Sequence, residues 1–573
     1  MQRLSPGSLQ LLCIFDALGG DRIPKLLFEV YLTPQPRWNE EGHIVRVGFG
    51  FGDCPITLHE LLNTESLTIC LEELLLGSWI YQDDHGKLFS PTFSLTNEAK
   101  NYSQWLSNKD PLLWNILGLQ LSCHTFPRDP VLDENFNKKG IQLAHIIDYL
   151  CLQAESYDLS DSLRLELAEV LVAKARLGRL KCTEQSLEKA IALFDGVAPD
   201  YIQASIALRR SISLRLEGSF QKSEKVIFDY QEEAHRRETS NTRLRALNRL
   251  IMISHVENLI QLEDYETGRK EIHNLNDSEP NSDKAWSLMD LSVNFKKWST
   301  VSKIYQSQGY LNESRDYLSN CYPYLRSEEF RADPNRFQII CRLSDLLCAD
   351  GCLDNARSKI EHELYLMGVH GKLIKASRRL EVSMLDVNIE EGRLKEASTL
   401  ALSLKGQFSR IVSPDISDQW LHVRSVVASA RLLYCQGSYP EAVSEWRNLL
   451  LLTKKYPLSF EPEGFYFGLG HMSMSVALLQ SDQSSSQSDD RVALELREKD
   501  AKKALDIGCD VLARENLNFW IPLLPKRYIP DLMDEIKYLR PAWADTLDFK
   551  SLQKKYTNFL DFATKKSGFA SRI

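Results

Sequence analysis

The stretch Gln436–Trp446, QGSYPEAVSEW, sets a glycine, an apolar residue two positions on and a small residue five on: Gly437, Tyr439 and Ala442. The same phrase stands at Gly392, Leu394, Ala397 and at Gly351, Leu353, Ala356. Looser versions occur at Gly309, Leu311, Ser314, at Gly218, Phe220, Ser223 and at Glu263, Tyr265, Gly268. Each predicts the turn of a helical hairpin and the start of its second helix. The glycine ends the first helix because it accepts a positive φ without a Cβ clash. The apolar residue packs back on that helix, and the small one lets the second helix approach closely. Gly218, Gly309, Gly351, Gly392 and Gly437 are therefore read as structural repeat turns, not as a site.

The turns recur every ~40–46 residues, longer than the ~34 of an ideal tetratricopeptide unit. A hairpin cannot bury its apolar face alone, so neighbours must stack, which predicts an α-solenoid of tetratricopeptide-like hairpins with a concave surface. The chain of 573 residues, 43% hydrophobic and 26% charged, has the composition of an ordinary folded protein and is long enough for several domains. The expected fold is mainly α, with this division: a winged-helix-like domain over 1–94, a helical linker over 95–178, the solenoid over 179–480, a Ser/Asp-rich disordered loop over 481–490 (SDQSSSQSDD), and terminal helices with a C-terminal cap over 491–573. Gly178-Arg179-Leu180 is a candidate first repeat turn.

The N-terminal expectation comes from element order. Ser5-Pro6-Gly7-Ser8 caps a helix with Leu9, Leu12, Cys13 and Ala17 on one stripe, stopped by Gly19-Gly20. Asp21-Arg22-Ile23-Pro24 is read as the start of a second helix carrying Leu26, Leu27 and Val30. HIVRVGFGF reads as a short strand, and Thr57 caps a helix through Leu62. A further helix, bracketed by Ser66 and Glu72, turns Leu67, Leu71, Leu74 and Leu75 inward. Two β-rich runs, Trp79–Gln82 and Leu88–Ser90, are joined by Asp83-Asp84-His85-Gly86, a good hairpin turn. From Leu95 the pattern is helical, broken at Phe126-Pro127-Arg128-Asp129-Pro130. A helix spans about 494–512, and the prolines at 522, 525, 530 and 541 predict an irregular tail that caps the last repeat.

These residues suggest a family. Leu18-Gly19-Gly20-Asp21-Arg22-Ile23-Pro24 with Leu26-Leu27 resembles the turn that opens the winged-helix segment of fungal STAND-type signalling NTPases (the NB-ARC or NACHT class). Leu74-Leu75 through Trp79-Ile80, then Gly86 to Phe89-Ser90, is similar to their short wing. Trp105, Trp114 and the repeat turns follow as their helical linker and tetratricopeptide-like repeats do. The chain departs from the family in having no G-x-x-x-x-G-K-[ST] phosphate loop. The resemblance therefore implies the sensor half alone, either as a natural stand-alone protein or as a truncated gene product.

Charge and cysteine usage narrow the function. The formal net charge is −9, which argues against a nucleic-acid coat or an anionic membrane surface as the main partner. Residues 1–100 hold seven Lys/Arg against 13 Asp/Glu, and the would-be recognition helix Ser66–Leu76 carries Glu72 and Glu73 without a cation. DNA binding by a winged helix, the alternative function, is accordingly disfavoured. The 12 cysteines form no C-x-x-C pair; Cys341, Cys348 and Cys352 read as packing thiols in a reducing compartment, cytoplasm or nucleus. MQRLSPGSLQLLCIF lacks the apolar run of a signal peptide, and no window reaches ~18 uninterrupted apolar residues.

No catalytic, cofactor or metal signature emerges, so no enzyme and no cofactor are expected. His59 beside Glu60 lacks a paired nucleophile, and His145 in Leu143-Ala144-His145-Ile146-Ile147 is read as a hydrogen-bonded core histidine. Gly48-Phe49-Gly50-Phe51-Gly52 has no following lysine and is read as a loop or strand edge. The most cationic part is Arg209-Arg210…Arg215 with His235-Arg236-Arg237…Arg243…Arg245…Arg249. Arg245 and Arg249, four apart, share a helical face. Its bland reading is a solvated face paired with Glu232, Glu233 and Glu238. Its functional reading is a groove in which Arg209, Arg210, Arg245 and Arg249 bind an acidic peptide, because a guanidinium offers a planar fork to carboxylates. The expected function is a non-catalytic interaction scaffold or sensor with a protein or peptide partner.

Overall fold

The computed structural model describes residues 4–31, 33–49, 63–83, 90–133, 135–177, 180–194, 197–234, 241–262, 264–275, 286–321, 324–325, 330, 334–370, 374–411, 414, 416–456, 464–484, 491–514, 523–546 and 549–556. The readings at Thr57–Leu62, His59, Asp84–Gly86, Gly178-Arg179 and 485–490 lie outside them. The chain is mainly helical and divides into two compact units. One comprises Met1–Ser213, Lys225–Ile251 and Pro280–Ser292; the other comprises Leu214–Glu224, Met252–Glu279 and Val293–Ile573.

The first unit opens with helix Pro6–Ala17. Ser5 caps it by accepting from the Ser8 amide. Glu73 accepts from the Ser5 amide at 2.9 Å, the Ser5 hydroxyl at 2.6 Å and the Ser8 hydroxyl at 2.7 Å. Those bonds hold its carboxyl below the ordinary value and fasten helix Thr64–Leu76 to the positive end of the first helix. Ile23–Pro24 is strand β1, which corrects the helical expectation: Ile23 pairs with Phe93 and Pro24 with Thr92. A proline fits because β1 is an outer strand of its three-stranded sheet. The helix that follows is shorter, Leu26–Val30. The described part of the hairpin pairs β4 (Ile80–Asp83) with β5 (Thr92–Leu95), and of the expected second strand Leu88–Ser90 the first two residues lie outside the described ones.

A second hairpin, β2 (Gln35–Trp38) and β3 (Ile44–Val47), is bonded to the N-termini of two later helices. Glu40 O accepts from the Arg243 amide at 3.0 Å and Gly42 O from the Met289 amide at 3.1 Å. The core runs continuously from Leu11, Phe15, Phe28, Leu74 and Phe93 into Leu121, Ile146, Leu150, Leu167 and Leu187 of the helices that follow. His145 lies on helix Phe136–Ala154 but is exposed, which corrects the core reading: Leu143, Ile146 and Ile147 take the buried stripe and turn His145 outward.

In the second unit the repeat glycines adopt the left-handed conformation. Gly218, Gly309, Gly351, Gly392 and Gly437 have φ between +72° and +82°. The residue after each bonds back five residues: Ser219 to Leu214 O, Tyr310 to Tyr305 O, Cys352 to Leu347 O, Arg393 to Asn388 O and Ser438 to Leu433 O, all at 2.8–2.9 Å. This closes the C-terminus of each leading helix. Asp264 does the same to Leu259 O at 2.9 Å. The small residue five after each glycine, Ser223, Ser314, Ala356, Ala397 or Ala442, is completely buried. Leading helices Pro334–Ala349, Ile374–Glu390 and Ile416–Cys435 pack on their own second helices and on one another.

The end of the chain corrects two expectations. Ser481–Ser484 continue helix Phe465–Ser484 instead of starting a loop. Leu523–Leu539, Pro541–Thr546 and Phe549–Tyr556 are helices where the prolines suggested an irregular tail. Pro541 opens a helix and Pro525 lies in the first turn of another, where a missing N–H costs little, whereas Pro530 sits inside that second helix. No helix among the described residues is long and apolar enough to cross a membrane.

Candidate interaction face

The four arginines singled out from the sequence lie in the first unit. Arg209 is half-buried beside Arg176 and Asp129; burial, with Arg176 adding to it, pushes its guanidinium down to about 9. Arg210, on the same helix, Asp200–Leu216, forks onto Glu184, with its Nε 3.1 Å from Oε2. Arg245 is exposed and donates to Thr242 Oγ1 at 3.0 Å, whereas Arg249, one turn on, is turned inward 3.7 Å from Asp290. The four side chains thus have different surroundings: Arg210 and Arg249 each meet a carboxylate of the same unit, while Arg245 is exposed. None of the described cysteines is in a disulfide, and Cys341 and Cys348 are buried with raised thiol pKa values caused chiefly by burial. Among the described residues no cluster of His, Cys, Asp and Glu could hold a metal ion.

The second unit carries a different constellation, on the leading helices. Six residues before five of the six turns, those at 263, 309, 351, 392 and 437, the chain places a charge: Glu257, Lys303, Asp345, Asp386 and Arg431. Partners come from neighbouring repeats. Glu257 receives Arg215 Nη2 at 2.6 Å and Lys296 Nζ at 2.7 Å. Burial alone would raise its carboxyl, but Lys296, Arg215 and Lys303 hold it well below the carboxylate range. Arg342 donates to Ser299 O at 2.7 Å. Arg424 bridges two carboxylates, Nη2 to Asp345 at 2.7 Å and Nε to Asp386 at 3.0 Å, joining three consecutive leading helices. Burial pushes Asp345 up to about 6, with Arg424 pulling down and the like charge of Asp386 pushing up. Arg431 pairs with Glu390 at 2.9 Å. The side chains of Arg215, Glu257, Asp345, Asp386 and Arg424 are a tenth exposed or less, and those of Glu390 and Arg431 a fifth, so they act in a medium where charges interact strongly.

Helix Leu523–Leu539 lies on this face. It packs against leading helix Pro334–Ala349 and against Phe465–Ser484, with Ile416–Cys435 bonded to it between them. The Arg431 guanidinium sits over the Tyr528 ring, 3.4 Å from its centroid, and donates to the Tyr528 hydroxyl. The Tyr434 hydroxyl donates to Glu535, which also accepts from Gln480 Nε2 at 2.9 Å. Tyr528, Ile529, Met533, Ile536 and Leu539 form its buried stripe, while Tyr538 is 82% exposed. Sequence reading missed this site because it looked for clustered cations. The available signal was the recurrence of one charge at a fixed offset from the turn.

No family model matches this sequence, and no curated protein does. Among solved structures the chain is similar to a Rap protein complexed with competence and sporulation factor, at a TM-score of 0.39 and 9% identity, over 64% of this chain and 99% of that one.

Proposed function

We propose that this protein is a non-catalytic interaction scaffold that holds a partner protein or peptide on the face built by its leading helices. One observation carries the reading: a helix, Leu523–Leu539, already lies across that face, anchored by Tyr528 on Arg431. A surface that seats an amphipathic helix in register with several repeats has the shape and chemistry of helix-in-groove recognition. The N-terminal helices with the sheet β1-β5-β4 support a winged-helix-like domain, and the element order supports a likeness to the sensor half of STAND proteins. DNA recognition gains no support from helix Thr64–Leu76, whose Glu73 is engaged by Ser5 and Ser8.

The test is to pan a library of displayed helical peptides against the full chain, both unaltered and carrying Tyr528→Ala. Enriched peptides that slow amide exchange in 334–349, 416–435 and 465–484 are the expected result. Failure to enrich any peptide on either form, or protection confined to other segments, would overturn the reading.

A further inference from the structure

The geometry points to helix Leu523–Leu539 being a displaceable resident of the partner face, and to the partner being an amphipathic helix that presents an aromatic hydroxyl and, seven residues later, a carboxylate. The inference rests on the scaffold reading and deepens it. The resident's contacts define the partner's chemistry. Its Tyr528 covers Arg431 and its Glu535 takes Tyr434 and Gln480, so both polar anchors fall on one helical face. Between and beside them Ile529, Met533 and Ile536 bury their side chains. The competing helix therefore reads aromatic, apolar one on, apolar five on, acidic seven on and apolar eight on.

Three features favour release over permanent attachment. Arg431 keeps a carboxylate when the helix departs, because Glu390 lies 2.9 Å from it, so undocking strands no buried charge. Tyr434 and Gln480 lose a partner that water can replace. Pro530 inside the helix removes one backbone bond and lowers the intrinsic stability of the detached segment as a helix, which favours exchange for a better helix former. The face is thus built for a helix, and the one it holds can leave without stranding a charge.

A fluorescent synthetic peptide of residues 523–540 is the probe, titrated into the full chain and into full chain carrying Tyr528→Ala with Glu535→Ala. A resident closed in about nine molecules of ten weakens apparent binding about tenfold, so the released chain should bind at least about tenfold tighter. Adding Arg431→Glu to the released chain, or Tyr528→Ala to the peptide, should abolish that gain. In the unaltered chain, hydrogen exchange over 529–539 should run at least about tenfold faster than over 469–480, a readout that needs no variant. Equal affinities, binding indifferent to Arg431→Glu, or equal exchange rates would overturn the inference. If library peptides enrich equally on both forms, the scaffold stands and the resident helix is no competitor. A concentration-dependent dimer exchanging 523–539 between copies would make the occupant a second copy and overturn the separate-partner reading.

Discussion

A methyl group added at Gly392 meets no atom within 4 Å, so the cost of Gly392→Ala comes from its φ of +72° alone. We expect about 1–2 kcal/mol, with Gly392→Asn costing less because asparagine tolerates the left-handed region. Gly508→Ala is a different case. Its Cβ would stand 2.8 Å from Met472 N and 3.0 Å from Gly468 O, backbone atoms of a neighbouring helix that cannot rotate away. It should cost more than Gly392→Ala, up to about 3 kcal/mol, and urea midpoints of the three variants decide the order. Titration also separates at this scale. Glu257 is depressed in the folded state, so its contribution is present above the ordinary carboxylate value and is lost as pH falls through the folded value. Glu257→Gln should be destabilised by about 3–5 kcal/mol at pH 7, with the deficit shrinking in acid. Asp345 is raised to about 6, so its contribution is present below the ordinary value and lost as pH rises through about 6. Asp345→Asn should therefore gain on the unaltered chain between about pH 4 and 7. Denaturant midpoints across that range would show the two variants drifting in opposite directions; parallel curves would contradict both assignments.

Hairpin β2–β3 shows what an element can do that its own sequence does not announce. Arg243 donates its amide to Glu40 O, directs Nη1 toward Trp38 O at 3.4 Å and Nη2 to Glu169 at 2.8 Å, and stacks 4.3 Å from the Tyr201 ring centroid. Arg243→Ala should cost about 2–4 kcal/mol, and Arg243→Lys about half of that, because lysine keeps the charge but not the fork; chemical denaturation followed by circular dichroism measures both. Elements with local causes were legible in the sequence. The turn at Gly437 needs only a residue that accepts positive φ, and helix Pro6–Ala17 needs only Ser5 and Pro6 at its start. Elements with distant causes were not. Ile23–Pro24 is a strand because Phe93 and Thr92 lie opposite, and two residues carry no period to read. Leu523–Leu539 is a helix despite Pro530 because Tyr528, Met533 and Ile536 find a face contributed by helices up to two hundred residues earlier. The surroundings of the cationic cluster at 209–249 have distant causes too: Arg210 and Arg249 meet Glu184 and Asp290, acids contributed by other elements.

At the scale of the whole molecule, the charges on the leading helices pose a question that single contacts do not answer: whether they hold the repeats together or hold them in register. Arg424 reaches Asp386 one repeat back and Asp345 two repeats back, all three less than a tenth exposed. Desolvating such a triad offsets most of its attraction, so it need add little net stability, yet removing one member leaves an uncompensated buried charge. Arg424→Met alone should cost about 3–5 kcal/mol, whereas Asp345→Asn, Asp386→Asn and Arg424→Met together should fall well below the sum of the single effects. If the triad sets register, the triple variant keeps its midpoint but loses sharpness: adjacent hairpins gain the freedom to slide, the urea slope falls, and amide protection across 334–435 becomes uneven. If it contributes only stability, the slope is unchanged and the midpoint alone moves. Because the partner face is assembled from these same helices, a loss of register predicts weaker peptide capture even where the midpoint is restored, and measuring the two together in the triple variant separates a scaffold whose repeats are pinned for binding from one that is merely folded.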